Sequence, residues 1–111
     1  MTKIIKAAIK VDFGNSLRLG AGKVRLLEMV AETGSISAAA RAMDMSYRRA
    51  WLLIDELNEI FKVPVVETAA GGSGGGGAKI TEHGKRVVSL YHELQKEADA
   101  LAKAKFANLP I

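Results

Sequence analysis

The stretch of this chain best equipped for chemistry is Ser46-Tyr47-Arg48-Arg49-Ala50-Trp51. Ser46 suits a helix N-cap, because a serine oxygen accepts an amide proton that the first helical turn leaves unpaired. Arg48 then falls in that first turn. Its planar guanidinium can donate two parallel hydrogen bonds to guanine O6 and N7, worth about 1–3 kcal/mol of discrimination between bases. Arg49 flanks the same face and suits a phosphate. Tyr47 can stack on a sugar or reach a base edge. Trp51, the single tryptophan, comes about one turn after Arg48, where its indole N–H can donate to a phosphate. Ser35, Ser37 and Ser46 all stand at the starts of helical stretches, where free backbone N–H groups favour phosphate. Arg41 and Lys79 are further phosphate candidates. Each has a plainer alternative: a solvated cation, an aromatic packed on a neighbouring helix, or an N-cap that meets no ligand.

Other chemistries find little footing. Gly71-Gly72-Ser73-Gly74-Gly75-Gly76-Gly77 holds six glycines in seven positions. A phosphate-cradling P-loop would close on Gly-Lys-Ser/Thr, yet Lys79 follows Ala78 and precedes Ile80. The other Gly-Lys, Gly22-Lys23, precedes Val24. Gly20-Ala21-Gly22 has Arg25 where a dinucleotide fingerprint needs its third glycine. His83 and His92 are nine apart rather than the four that would place two ligands on one metal. Asp55, Glu56 and Glu59 read as a solvated helix face. No nucleophile has a base at a recognisable spacing, so neither an enzyme, a metal site nor a cofactor is expected.

Length and composition agree with a small binding domain. The 111 residues are 49% hydrophobic and 25% charged, which suits one globular core. Without cysteine there is neither a disulfide framework nor a thiolate site. No apolar run approaches the roughly 20 residues of a membrane span. The opening MTKIIKAAIKVDFG is a poor secretory signal, so a cytoplasmic location without a membrane partner is expected. The net charge of +4 is unevenly spread: residues 1–49 carry nine Lys/Arg against four Asp/Glu, and residues 50–111 seven against eight. The basic first half favours an anionic partner such as nucleic acid.

The elements that must position these residues follow from periodicity. Residues 3–19 alternate, with Ala7, Ile9, Val11 and Phe13 on one side, as in a half-buried strand. Gly14-Asn15 can supply a turn and Leu17 and Leu19 a short return strand, which makes a β-hairpin. Residues 21–33 carry Val24, Leu27, Met29 or Val30, and Ala31 at helical spacing, and Gly34 stops the helix. Ser35 or Ser37 can cap a second, alanine-rich helix over Ile36–Met43. After Asp44-Met45, the spacing predicts a third helix over Tyr47–Phe61, with Ala50, Ile54, Leu57 and Phe61 as its buried stripe. Arg48, Trp51, Leu52 and Asp55 lie on the opposite side, and Pro64 forbids continuation. Strands at 63–68 and 78–80 then flank the glycine run as a second hairpin. Thr81 can cap a last helix over Glu82–Ala107, roughly 39 Å long at 1.5 Å per residue. Its Val87, Tyr91, Leu94, Ala98 and Leu101 form a heptad-like seam. The rest of so small a domain cannot cover such a rod, so a partner chain is expected on that seam; the alternative is a helix folded back on its own domain.

Three helices followed by a two-stranded hairpin is the order of a winged helix-turn-helix, mainly α with small β. The predicted organisation is a DNA-binding unit over 1–80, with an N-terminal hairpin at 3–19 and a wing at 63–80, then a long dimerisation helix within 81–111. The residues also resemble a known family. Leu26 to Met43 looks like the helix-turn-helix of LysR-type and ModE-type regulators. Ser46-Tyr47-Arg48-Arg49-Ala50-Trp51, Glu67 with the glycine run, and Thr81-Glu82-His83-Gly84 are together similar to the N-terminal DNA-binding domain of ModE-type, molybdate-responsive transcriptional regulators. The resemblance covers about residues 3–107. It implies a dimeric DNA-binding protein. In that family molybdate binds separate C-terminal domains, and this sequence stops at Ile111, so molybdate binding within the chain is not expected. The family wing often has a basic residue where Ser73 stands here, which removes one phosphate contact.

Two functions follow. One is a sequence-specific transcriptional regulator that binds double-stranded DNA as a homodimer. The other is a protein-interaction module, or a heterodimerising antagonist of a full-length regulator. The discriminating residues are Arg48 and Arg49, which only a DNA reader requires.

Overall fold

The computed structural model describes residues 3–69 and 77–111. The element order is β1 (Lys10–Asp12), β2 (Arg18–Gly20), α1 (Ala21–Thr33), α2 (Ile36–Ala42), α3 (Tyr47–Ile60), β3 (Val66–Thr68), β4 (Ala78–Ile80) and α4 (Glu82–Lys105). Two antiparallel hairpins, β1–β2 and β3–β4, bracket the three-helix unit. This is a winged helix-turn-helix with a long trailing helix.

Local chemistry accounts for the boundaries. Gly34 ends α1 at φ +71, and its N–H donates to the Val30 carbonyl oxygen. A left-handed residue closes the last turn in this way with least strain when it is glycine. Ser35 Oγ caps α2 by accepting from the Ala38 amide at 3.2 Å. Ser46 Oγ caps α3 by accepting from the Arg49 amide at 3.0 Å. Thr81 Oγ1 caps α4 by accepting from the Gly84 amide at 3.0 Å. Between α2 and α3 the chain turns at Asp44, with φ +54, and the Met45 amide bonds back to the Ala40 carbonyl.

The core lies where α1, α2 and α3 meet the wing and the start of α4. Leu26, Leu27, Ile54, Leu57, Val24, Val30 and Val65 are its largest fully buried side chains. Leu27 and Val30 come from the predicted stripe of α1, Ile54 and Leu57 from that of α3. Ala39 and Ala40 are buried too, and their small side chains let α2 lie close to both neighbours. The wing is tied on at several points. The Ala78 amide donates to the Gly34 carbonyl at 2.9 Å and the Thr81 amide to the Val65 carbonyl at 3.0 Å. Asn58 of α3 accepts from the Val65 amide at 2.8 Å and donates to the Val66 carbonyl at 3.4 Å.

The N-terminal strand is shorter than its alternation predicts. Pairing begins at Lys10, opposite Gly20. Residues 3–9 form no strand; the backbone of their inner end is taken up by side chains of α4. The Ala7 amide donates to Asp99 Oδ1 at 2.8 Å, Gln95 Nε2 donates to the Ala7 carbonyl, and Tyr91 Oη donates to the Ile9 carbonyl at 3.0 Å. An extended chain reads the same in sequence whether its hydrogen bonds go to a sister strand or to a helix.

Candidate nucleic-acid interface

The first turn of α3 projects its polar side chains into solvent. Tyr47, Arg48 and Arg49 are all exposed, while Ala50, Ile54 and Leu57 anchor the opposite side. Tyr47 lies edge-on to Trp51, with ring centroids 6.2 Å apart. Trp51 itself is half-buried and packs against the core. That ring contact braces Tyr47 beside Arg48. The first turn thus fans an exposed phenol and two exposed arginines around a capped helix end, Tyr47 toward the Trp51 flank, Arg48 outward and Arg49 toward the opposite flank, where unpaired amides add positive potential.

The other predicted residues are spread around this turn. Ser35 and Ser37 are half-buried at the start of α2, their hydroxyls 3.2 Å apart. Ser35 and Ser46 serve as N-caps, the plainer of their two expected roles. Arg41 lies exposed in the last turn of α2, where a cation also complements the helix dipole. Lys79 is exposed on β4, with Glu67 as its cross-strand partner in register. Residues 70–76, which hold Ser73 and all of the glycine run but Gly77, lie outside the described residues.

The seam on α4 divides in two. Val87 and Tyr91 are each only 5% exposed and belong to the chain's own core. Ala98 is half-buried. Leu94 and Leu101 are 42% and 60% exposed, and Leu90, off the predicted seam, is also exposed. Beside them an apolar groove of about 270 Å³ opens between the N-terminal hairpin and α4, lined by Phe13, Phe61, Leu90 and Leu94 among others. His83 stands edge-on to Phe61 at 5.8 Å, and exposed His92 meets Glu28 at 3.1 Å. Among the described residues, no helix is long and apolar enough to cross a membrane.

The lysR family of bacterial regulatory helix-turn-helix proteins matches residues 22–85, which hold all of α2 and α3, the wing and the start of α4. The chain belongs to that family. Its helix-turn-helix is of the DNA-binding transcriptional-regulator type. Among curated relatives, it is 39% identical over 98 residues to the molybdenum-pterin-binding protein MopA of Rhodobacter capsulatus, covering 88% of this chain and 36% of MopA. It is 36% identical to the molybdenum transport protein ModE of Azotobacter vinelandii, covering 85% of this chain and 34% of that one. Against the DNA-binding transcriptional dual regulator ModE of Escherichia coli K12 the identity is 42% over 84 residues, 72% of this chain and 32% of that one. The chain thus spans about a third of the length of these relatives. A crystal structure of a LysR family transcriptional regulator shares the fold, with a TM-score of 0.57 at 24% identity over 80% of this chain and 28% of the other.

Sequence reasoning missed two features of this lysR-family domain. One is Asn58, which orients the wing on α3. Its signal is a short side chain with both donor and acceptor, next to a buried stripe. The other is a group of cations contributed by the first hairpin and α1, which no single stretch of sequence brings together.

Proposed function

We propose that this chain is a sequence-specific DNA-binding regulator that acts as a homodimer in the cytoplasm. The observation that carries this reading is the exposed Tyr47-Arg48-Arg49 turn that opens a capped helix, held by α2 and flanked by a wing. A helix of this kind fits the major groove, and its N-terminal side chains reach base edges. Arg48 reads a guanine; Arg49 holds a phosphate. Tyr47 contacts a sugar or base edge, while Ser35, Ser37, Arg41, Lys79 and the indole N–H of Trp51 contribute backbone contacts. Dimerisation uses the outer part of α4, with Leu94 and Leu101 from the predicted seam and Leu90 beside them. Val87 and Tyr91 act within each subunit, supporting that surface from below. The extents of 60 × 31 × 23 Å show a slender molecule, and contiguous exposed apolar side chains on such a helix favour a second copy. The genes controlled concern molybdenum, the element in the names of its relatives.

Selection of genomic fragments by the purified protein, at two salt concentrations, tests this. One enriched palindromic motif is expected, lost in Arg48→Ala. Motif-free binding, or none, would sink the reading in favour of a module that pairs with another regulator through α4.

A further inference from the structure

The recognition helix is flanked by a hairpin on each side, and only one of them is the wing. At about 100° per residue, Asn58 and Trp51 project from one flank of α3, and Asn58 binds the wing. Arg49, Leu53 and Glu56 project from the opposite flank. There they line an open cavity of about 440 Å³ together with Lys10, Arg18 and Lys23. Met43 and Met45, from the turn of the helix-turn-helix, line it as well.

The cavity is strongly cationic. Its one carboxylate, Glu56, is held by Lys23 Nζ at 2.8 Å. Lys23 also donates to the Arg18 carbonyl at 2.7 Å, so this cation is committed. Lys10 and Arg49 form no ion pair among the described residues. Arg18 meets Asp12 at 3.6 Å, with both side chains more than half exposed; such a pair contributes little and yields readily to a better anion. The Lys10 stem crosses the backbone at Gly20, where an added Cβ would stand only 3.2 Å from Lys10 Cε. That places the lysine over the start of α1, which has no side-chain cap and no acidic residue in its first turn.

We propose that the N-terminal hairpin is a second phosphate-binding element of the DNA interface. Lys10 and Arg18, working with Arg49, grip the duplex backbone on the side of α3 away from the wing. This rests on the DNA-binding reading above and extends it to an element outside the residues that the lysR family matches. The ligand chemistry is a phosphodiester, and the source is the DNA duplex, since Arg49 belongs to both the cavity and the exposed first turn of α3.

The test compares full-chain Lys10→Gln/Arg18→Gln with wild type on the selected operator and on unrelated DNA. Both substitutions lie on an exposed hairpin, and an unchanged thermal melt shows that the fold is kept. Losing two phosphate contacts per subunit should weaken both complexes by about tenfold or more and flatten the log–log salt dependence by about 1.8 per subunit. Charge-retaining Lys10→Arg/Arg18→Lys should keep the wild-type slope. Ethylation interference on wild-type protein should mark phosphates flanking the base contacts, independently of any variant. A wild-type slope in the neutral double variant, with Arg48→Ala still abolishing specificity, overturns the hairpin assignment and leaves the reading of α3 standing. No salt-dependent DNA binding by wild type overturns both. Saturable inorganic phosphate binding that Lys10→Gln/Arg18→Gln abolishes, with DNA binding unaffected, assigns the cluster to a small anion and overturns the proposal.

Discussion

The first and second halves of α4 carry the same apolar spacing and meet opposite surroundings. Gly84, Val87 and Tyr91 sink into the domain. Leu94 and Leu101, three and ten positions beyond Tyr91 on the same seam, face solvent in the single chain. Periodicity therefore reports that a helix has an apolar face, and says nothing of whether its cover comes from the same chain. What separates the halves is reach. The wing, α1 and the N-terminal hairpin end near Tyr91, and only the extended residues 3–9 continue along the helix, attached at Asp99 by their polar backbone.

Substitutions can break this contrast. The largest effect is expected at Gly84. An added Cβ would lie 2.3 Å from the Val65 carbonyl oxygen and 2.6 Å from Ile80 Cγ1, and backbone cannot step aside as a side chain can. Gly84→Val should cost about 3 kcal/mol or more in urea unfolding. Val87→Ala opens a hole in the same packed region and should cost about 2 kcal/mol.

Tyr91→Phe removes one hydrogen bond and should cost about 1 kcal/mol. It should also change the alkaline limb of stability. Burial raises the Tyr91 pKa above its ordinary value, so above pH 10 the folded chain holds a proton that the unfolded chain releases. Stability falls as pH rises through that range. Melts between pH 9 and 11 should show a shallower decline in the phenylalanine variant.

The outer half should behave differently. Leu101→Lys should leave the stability of the isolated subunit within about 0.5 kcal/mol. On the proposed pairing through α4 it should instead shift an association equilibrium, seen as slower sedimentation than wild type at the same protein concentration. An equally large loss of subunit stability would show that the outer half is covered in cis, and would erase the contrast.

Much of the fold is legible in the sequence because its punctuation is local. Gly34, Ser46, Pro64 and Thr81 act on their own neighbours, so each boundary they mark needs no knowledge of tertiary structure. The Ala50/Ile54/Leu57 stripe is legible for the same reason, and it places Arg48 outward by geometry alone. Residues 3–9 are less so, because their hydrogen bonds go to partners more than eighty positions away. The basic cavity is invisible for a related reason: Lys10, Arg18, Lys23 and Arg49 are brought together by packing, not by any pattern along the chain. Arg49 alone of the four stands out in the sequence as a phosphate ligand, because its place beside Arg48 is local.

The clip between the N-terminal segment and α4 has a kinetic consequence. Its hydrogen bonds close loops of 82, 88 and 92 residues, nearly the whole chain. Contacts of such range form late, because most of the closure entropy is recovered only once the intervening structure exists. At the outer end, Ala7 is held by the polar side chains of Asp99 and Gln95, so that end opens without global unfolding. The Ala7 amide should exchange its hydrogen far faster than the amides at the centre of α1. The segment thus acts as a latch with its own local equilibrium, engaging after the domain is built and releasing while the domain persists.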